Sequence, residues 1–163
     1  MKSVSDYSFH TVNGSLPREL AEEVVKLWIN FAGLEGQEAQ RRLKELVMIL
    51  SDRAGKVIGV STVVKTYVAQ IKNFVYIYRC FILPTFRAPA LDTQMIVRTK
   101  QYLELLSQSE TDKRCVGIMV IVQNVIVKQN WRQAVWLGAD MIYIGNTPEG
   151  DHIRLGYFKD ARI

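Results

Sequence analysis

Two stretches of this sequence hold side chains whose type and spacing could do chemistry. In "VYIYRCF", Tyr76, Tyr78 and Cys80 alternate, so a strand would set all three on one side, where a phenol can orient water or donate a proton. The same alternation also suits core packing with the hydroxyls at the rim. A few residues later, Pro84-Thr85-Phe86-Arg87-Ala88-Pro89-Ala90 separates a strand pattern from a helix pattern. A loop that opens a helix aims unpaired backbone N–H groups at whatever lies above it, and Arg87 adds a cation. That loop is a candidate anion site. Cys80 as a nucleophile would need a nearby base, and the only histidines, His10 and His152, are remote in sequence. Neither histidine nor either cysteine belongs to a metal-like spacing, and no metal is predicted.

These residues need elements to hold them. Residues 74–83 are apolar, aromatic and β-branched, which predicts a strand; from Leu91 the apolar residues fall at helical spacing, which predicts a helix over 90–106 with Met95, Ile96, Thr99, Tyr102, Leu103 and Leu106 on its buried side. Upstream, residues 7–12 read as a strand. Leu20, Val24, Leu27, Trp28 and Phe31 then form one apolar helix face, ended by "GLEG". A second amphipathic helix carries Ala39, Leu43 and Leu46. "VMILSDRAGKVIGVSTVVKTYV" reads as a hairpin, with strands over 47–52 and 57–68 and a turn at 52–56. After the polar turn "SQSETDKR", the run "CVGIMVIVQ" is apolar nearly throughout, as expected of a strand covered on both faces and parallel to a neighbour. A helix over 125–136, capped by Gly138, and two strands over 139–144 and 153–158 complete the order β-α-α-β-β-β-α-β-α-β-β.

A chain of 163 residues with 48% hydrophobic content has the size of one domain with a full core, here residues 1–163. Its 21 Lys+Arg against 16 Asp+Glu give a mild net charge of +5 without a long basic run. That spread argues against nucleic acid and is compatible with small anions such as nucleotides or coenzyme A. Cys80 and Cys115 sit in apolar runs, as expected of buried free thiols in a reducing cytosol. The sequence shows no signal-peptide h-region and no apolar run long enough to cross a bilayer, so a soluble cytoplasmic protein without a membrane partner is expected.

The element order, with a strand-loop-helix at its centre, resembles the GNAT superfamily of acyl-coenzyme A-dependent N-acyltransferases. Three local matches carry the resemblance: "DRAGKVIGVSTV" is similar to the family's Asp-Gly-x-x-Val-Gly hairpin, "CFILPTFRAPA" to its strand-four ending and phosphate loop, and "QNWRQAVWLGADMI" to its late helix ending in Leu-Gly-Phe. The resemblance implies an α/β (α+β) fold: a mixed, mostly antiparallel, six- to seven-stranded sheet with helices on both faces and a splayed parallel pair at strands four and five. It also implies an acyltransferase with acetyl-CoA as default donor and a small-molecule amine or peptide as acceptor. The alternative is a non-catalytic GNAT-like module that binds a ligand or partner.

Residue by residue, the resemblance implies that backbone groups of Phe81, Ile82 and Leu83 pair with the pantetheine arm, that Arg87 with the N–H groups of Ala88 and Ala90 meets the pyrophosphate, and that Asn124 helps to hold the cofactor. Asn124 reads equally well as a polar cap to the following helix. The chain departs from the family in four places. The loop is Arg87-Ala88-Pro89-Ala90-Leu91-Asp92, with both family glycines replaced; Pro89 removes a donor, and Asp92 puts a negative charge near the helix start, where it also reads as an N-cap. The slot of the family's strand-four glutamate is Tyr76, and that of its late-helix tyrosine is Ala134. Tyr76 and Tyr78 are therefore the proposed proton carriers. The acceptor is expected near residues 32–37 and the final hairpin. A homodimer through the last strands or the apolar helix faces is compatible with the pattern.

Overall fold

The computed structural model of the chain describes residues 6–109 and 114–163, and all their side chains but that of Pro89. Residues 110–113 of the expected polar turn lie outside the described residues, as does the start of the chain. Eight strands form one sheet in the order β1-β2-β3-β4-β5-β8-β7-β6. It is mixed and mostly antiparallel, with β4 (Asn73–Ile82) and β5 (Cys115–Val122) its parallel pair. The expected order holds, with one strand more than predicted. The contacts divide the chain into two compact units, Met1–Val63 with Arg79–Thr99 and Val64–Tyr78 with Lys100–Ile163.

In the first unit, β1 (Ser8–Thr11) and β2 (Leu46–Ser51) pair antiparallel, and β2 pairs with β3 (Val57–Val68). Every residue of β2 is buried, which explains its unbroken run of apolar residues. The turn that follows is held by Asp52, whose Oδ1 accepts from the N–H groups of Ala54 and Lys56 at 2.9 and 3.0 Å. Helix α1 (Arg18–Phe31) buries Val24, Val25, Leu27 and Trp28. Phe31, on the same face, ends the helix and is exposed. Helix α2 is shorter than its apolar spacing predicts: it spans Gly36–Arg42, a 3-10 turn follows at Leu43–Glu45, and Leu46 already belongs to β2. Helix α3 (Pro89–Gln108) starts within a residue of the expected position and buries Leu91, Met95, Ile96 and Thr99 here. Thr99 Oγ1 and Ser61 Oγ share a fully buried hydrogen bond of 2.8 Å, which satisfies both hydroxyls in the core.

In the second unit, β5 lies between β4 and β8 (His152–Tyr157), and its buried residues match the predicted doubly covered strand. Val75, Val116, Met119 and Leu155 form the centre of the core. Leu103 is buried as expected on α3, but Leu106 is 42% exposed. The largest departure from the sequence reading follows β5. In place of a helix over 125–136, α4 spans only Val125–Asn130, and Val135–Trp136 form a short strand, β6, paired with β7 (Met141–Asn146). Helix α4 opens with three β-branched residues and buries none of its own, so packing does little to extend it. The Trp131 carbonyl that a longer helix would need is also spent elsewhere. Trp131 O accepts from Trp136 Nε1 at 3.1 Å and from Arg154 Nη2 at 3.1 Å, while Ala134 O accepts from Tyr143 N–H at 2.8 Å. The positive-φ residue that turns the chain into β7 is Asp140, at 51°. Ala134 therefore occupies no late-helix slot.

Candidate functional site

Strand β4 reaches its end against a bare patch of β3. A β-carbon on Gly59 would lie 3.0 Å from Ile82 Cγ1 and 3.1 Å from Phe81 O, so the glycine of "KVIGV" lets the two backbones close on each other. Leu83 N–H donates to Ile58 O at 2.8 Å, and Leu83 O accepts from Phe86 N–H at 2.8 Å. Both main-chain groups of Leu83 are thus engaged within the first unit. Strand alternation then sets the direction of its neighbours: Phe81 shares the β3-facing side with Leu83, while the main-chain groups of Ile82 and Cys80 point away from β3. The parallel ladder to β5 runs from Phe74↔Cys115 to Tyr78↔Val120, and β4 continues to Ile82. Cys80 entered the sequence reading only as a thiol. Its backbone orientation follows from the alternation counted from the strand's end.

The loop beyond is tightly wound. Arg87 N–H donates to Pro84 O at 3.3 Å, and its side chain is exposed. Because α3 begins at Pro89, this proline takes the first helical position, where a missing N–H costs no helix bond. The N–H groups of Leu91 and Asp92 turn back to Ala88 O at 2.9 and 3.2 Å. Asp92 is therefore a first-turn residue and not the N-cap that the sequence suggested. Burial pushes its carboxyl above the ordinary aspartate value, and the charge of Arg87 works in the opposite direction. Arg87, Ala88 and Ala90 can present one cation and two main-chain N–H groups to an anion, with Asp92 opposing it.

Tyr76 and Tyr78 are both buried, at 8% and 6% exposure. The Tyr76 ring lies 6.4 Å from that of Phe158 and tilted against it, a core contact of the second unit. Arg79, between Tyr78 and Cys80 in sequence, is on the opposite face: it pairs at 3.1 Å with Glu45 of the 3-10 turn, as expected of a surface charge. Asn124 caps α4, its Oδ1 accepting from Ile126 N–H at 2.9 Å and Val127 N–H at 3.2 Å. Only its Nδ2 donors remain for another partner. A separate groove of about 480 Å³, lined by Val12, Leu16, Ala21, Leu43 and Lys44 among others, contains none of the residues above. Among the described residues, no three His, Cys, Asp or Glu side chains gather to hold a metal ion, and no helix is long and apolar enough to cross a membrane.

The fold is that of the GNAT acetyltransferases. An acetyltransferase of the GNAT family from Listeria monocytogenes superposes with a TM-score of 0.63 at 14% identity, over 93% of this chain and 94% of that one. The GNAT family N-acetyltransferase YhbS from Escherichia coli, solved in complex with CoA, gives 0.60 at 12% identity over 95% and 83%. The ribosomal-protein-S5-alanine acetyltransferase from Vibrio fischeri gives 0.59 at 12% identity over 99% and 98%. No family model matches the sequence, and no curated protein does.

Proposed function

We propose that the chain acts as one GNAT-like domain that transfers an acyl group, acetyl by default, from an acyl-CoA to an amine of a small-molecule or peptide acceptor. The observation that carries this reading is the end of β4: Ile82 turns its main-chain groups away from β3, just before a loop that offers Arg87 and the N–H groups of Ala88 and Ala90. An extended chain with amides, such as the pantetheine arm, would pair with Ile82 as an added strand, and a pyrophosphate would meet Arg87 and the two N–H groups. Support also comes from the CoA bound to the superposable Escherichia coli protein. Of the three strand-end residues first expected to pair, Ile82 has the matching orientation, Phe81 faces β3, and Leu83 is engaged at both main-chain groups. Asn124 would contribute through Nδ2.

The acyl-CoA supplies a thioester as leaving group. The residues of the chain must hold it, keep the attacking amine neutral and move a proton. Tyr76 and Tyr78 are the proposed groups for that proton, with water as relay. The catalytic contribution of the chain would come mainly from positioning and backbone polarisation. The test is a calorimetric titration with acetyl-CoA, followed by release of free CoA thiol in the presence of an amine panel. Binding in the micromolar range and turnover that falls about 10–100-fold in Tyr78→Phe, with KM unchanged, are expected. Absence of binding at millimolar acetyl-CoA rejects the reading.

The burial of both tyrosines, together with Asp92 in the first turn of α3, favours a second reading: a GNAT-like binding module without turnover. Tight acetyl-CoA binding with no thiol release from any amine would select it.

A further inference from the structure

The most unusual charge in the molecule is on β8. Among the described residues Arg154, 1% exposed, is the largest fully buried side chain, and no ion pair reaches it. Its guanidinium lies 4.0 Å from the centroid of the Trp136 ring and 6.0 Å from that of Tyr143. Nη2 donates to Trp131 O at 3.1 Å and Nη1 to Ala134 O at 3.5 Å, but Nε is buried without a partner. Two residues earlier on the same strand, and so on the same face, His152 Nδ1 is also buried without a partner. The His152 ring sits edge-on to Tyr143 at 5.5 Å. Two orphan nitrogens thus flank one tyrosine ring, and a full positive charge is compensated only by carbonyl dipoles and π-faces. Leaving such groups buried and unmatched costs free energy that a chain does not ordinarily retain without a use.

We infer that the Arg154–His152 cluster is a binding site for a small carboxylate, such as a simple organic acid or an amino acid. The planar Nε–Nη edge of a guanidinium matches the two oxygens of a carboxylate, and aromatic walls that exclude water strengthen such a pair. A bridging water would satisfy Nε but leave the charge unbalanced. A phosphate dianion would overbalance it in surroundings of low polarity. The roof is exposed on its outer side, since α4 buries none of its residues and residues 132–135 are exposed. Lys128 Nζ to Asp151 Oδ1 at 2.7 Å and the engaged carbonyls of Trp131 and Ala134 tie it down, so a ligand reaches Nε by a local opening of this segment. The site stands independently of acyl transfer.

Because Trp131 and Trp136 border the guanidinium, a ligand there must alter their fluorescence. The full chain is titrated at fixed ionic strength with acetate, glycine, acetamide and inorganic phosphate, reading tryptophan emission and Tm. Acetate or glycine should give a saturable change with a Kd of about 1 mM and a rise in Tm, and acetamide should give none. Glycine binding more than tenfold tighter than acetate marks an amino-acid site; equal affinity marks a simple-acid site. Arg154→Lys should weaken binding at least about tenfold, since it keeps the charge and loses the fork. Arg154→Met should abolish binding without lowering the Tm of the ligand-free protein; if this variant does not fold, the lysine variant decides. Silence of the wild type up to 50 mM carboxylate (about 50 times the expected Kd), an equal response to acetamide, a phosphate response in place of a carboxylate one, or retention of binding in Arg154→Lys overturns the assignment.

Discussion

Arg87 and Arg154 are the same residue type in opposite surroundings. Arg87 is exposed on a loop that opens a helix, within electrostatic reach of Asp92. Arg154 is buried against the Trp136 ring and bonded to the Trp131 carbonyl, with no carboxylate paired to it among the described residues, and burial lowers its affinity for its proton from the ordinary arginine value. An exposed arginine contributes little to folding, because water already satisfies it, so the larger part of its effect is expected in ligand binding. A buried one is part of the packing as well as a charge, so removing it disturbs both. The comparison separates a residue whose value would appear only in binding from one whose value appears in stability as well.

The sharpest way to break that contrast is truncation at both sites. Arg154→Ala empties a fully buried volume and should cost about 2–4 kcal/mol, read as a lower urea midpoint at unchanged m-value; a loss below 0.5 kcal/mol, the range of ordinary surface changes, would show the side chain to be dispensable for packing. Arg87→Ala should leave stability within about 0.5 kcal/mol and weaken acetyl-CoA binding roughly tenfold through loss of a charge-assisted phosphate contact. Unchanged affinity would remove Arg87 from the proposed anion site.

Smaller effects sharpen the two helix starts. Asn124→Ala deletes the cap of α4 and should cost about 1 kcal/mol, with greater hydrogen exchange over 126–127 as the local readout. For Asp92, the folded carboxyl is raised above its unfolded value. At low pH both states are protonated and the residue is neutral to stability. As pH rises through the ordinary aspartate value the unfolded chain ionises first, stability falls, and it levels off once pH passes the raised folded value. Asp92→Asn should therefore stabilise the protein at neutral pH by about 0.5 kcal/mol, since the helix N-terminus offsets part of the burial cost, and the gain should vanish in acid. A gain that persists in acid would trace the effect to packing. The same variant should bind acetyl-CoA more tightly, since it removes an opposing charge from the proposed phosphate end.

Most of the fold was legible because its signals are local. The period of two in β4, the 3.6 period of α1 and the Asp52 turn each reside within a dozen residues. The loop with Arg87 was legible for the same reason, lying where one period gives way to another. Two features were not. The expected helix over 125–136 failed although its apolar spacing was real: Trp131 O, which a helix would have offered to the N–H of residue 135, is taken by the Trp136 indole and by the distant Arg154. Arg154 itself is one residue in a polar-looking strand, "HIRLGY", and nothing nearby in sequence says that it is buried.

The sequence alone determined the order of strands and helices outside β6, the strand-to-helix loop and the likeness to the GNAT fold, because hydrophobic period and turn chemistry act over neighbouring residues. Only the tertiary structure decided that both main-chain groups of Leu83 are engaged at the end of β4, that Asp92 follows the helix start, and that Arg154 and His152 share a buried face. Those outcomes depend on hydrogen bonds and burial between residues far apart in the chain, where local propensity carries no information.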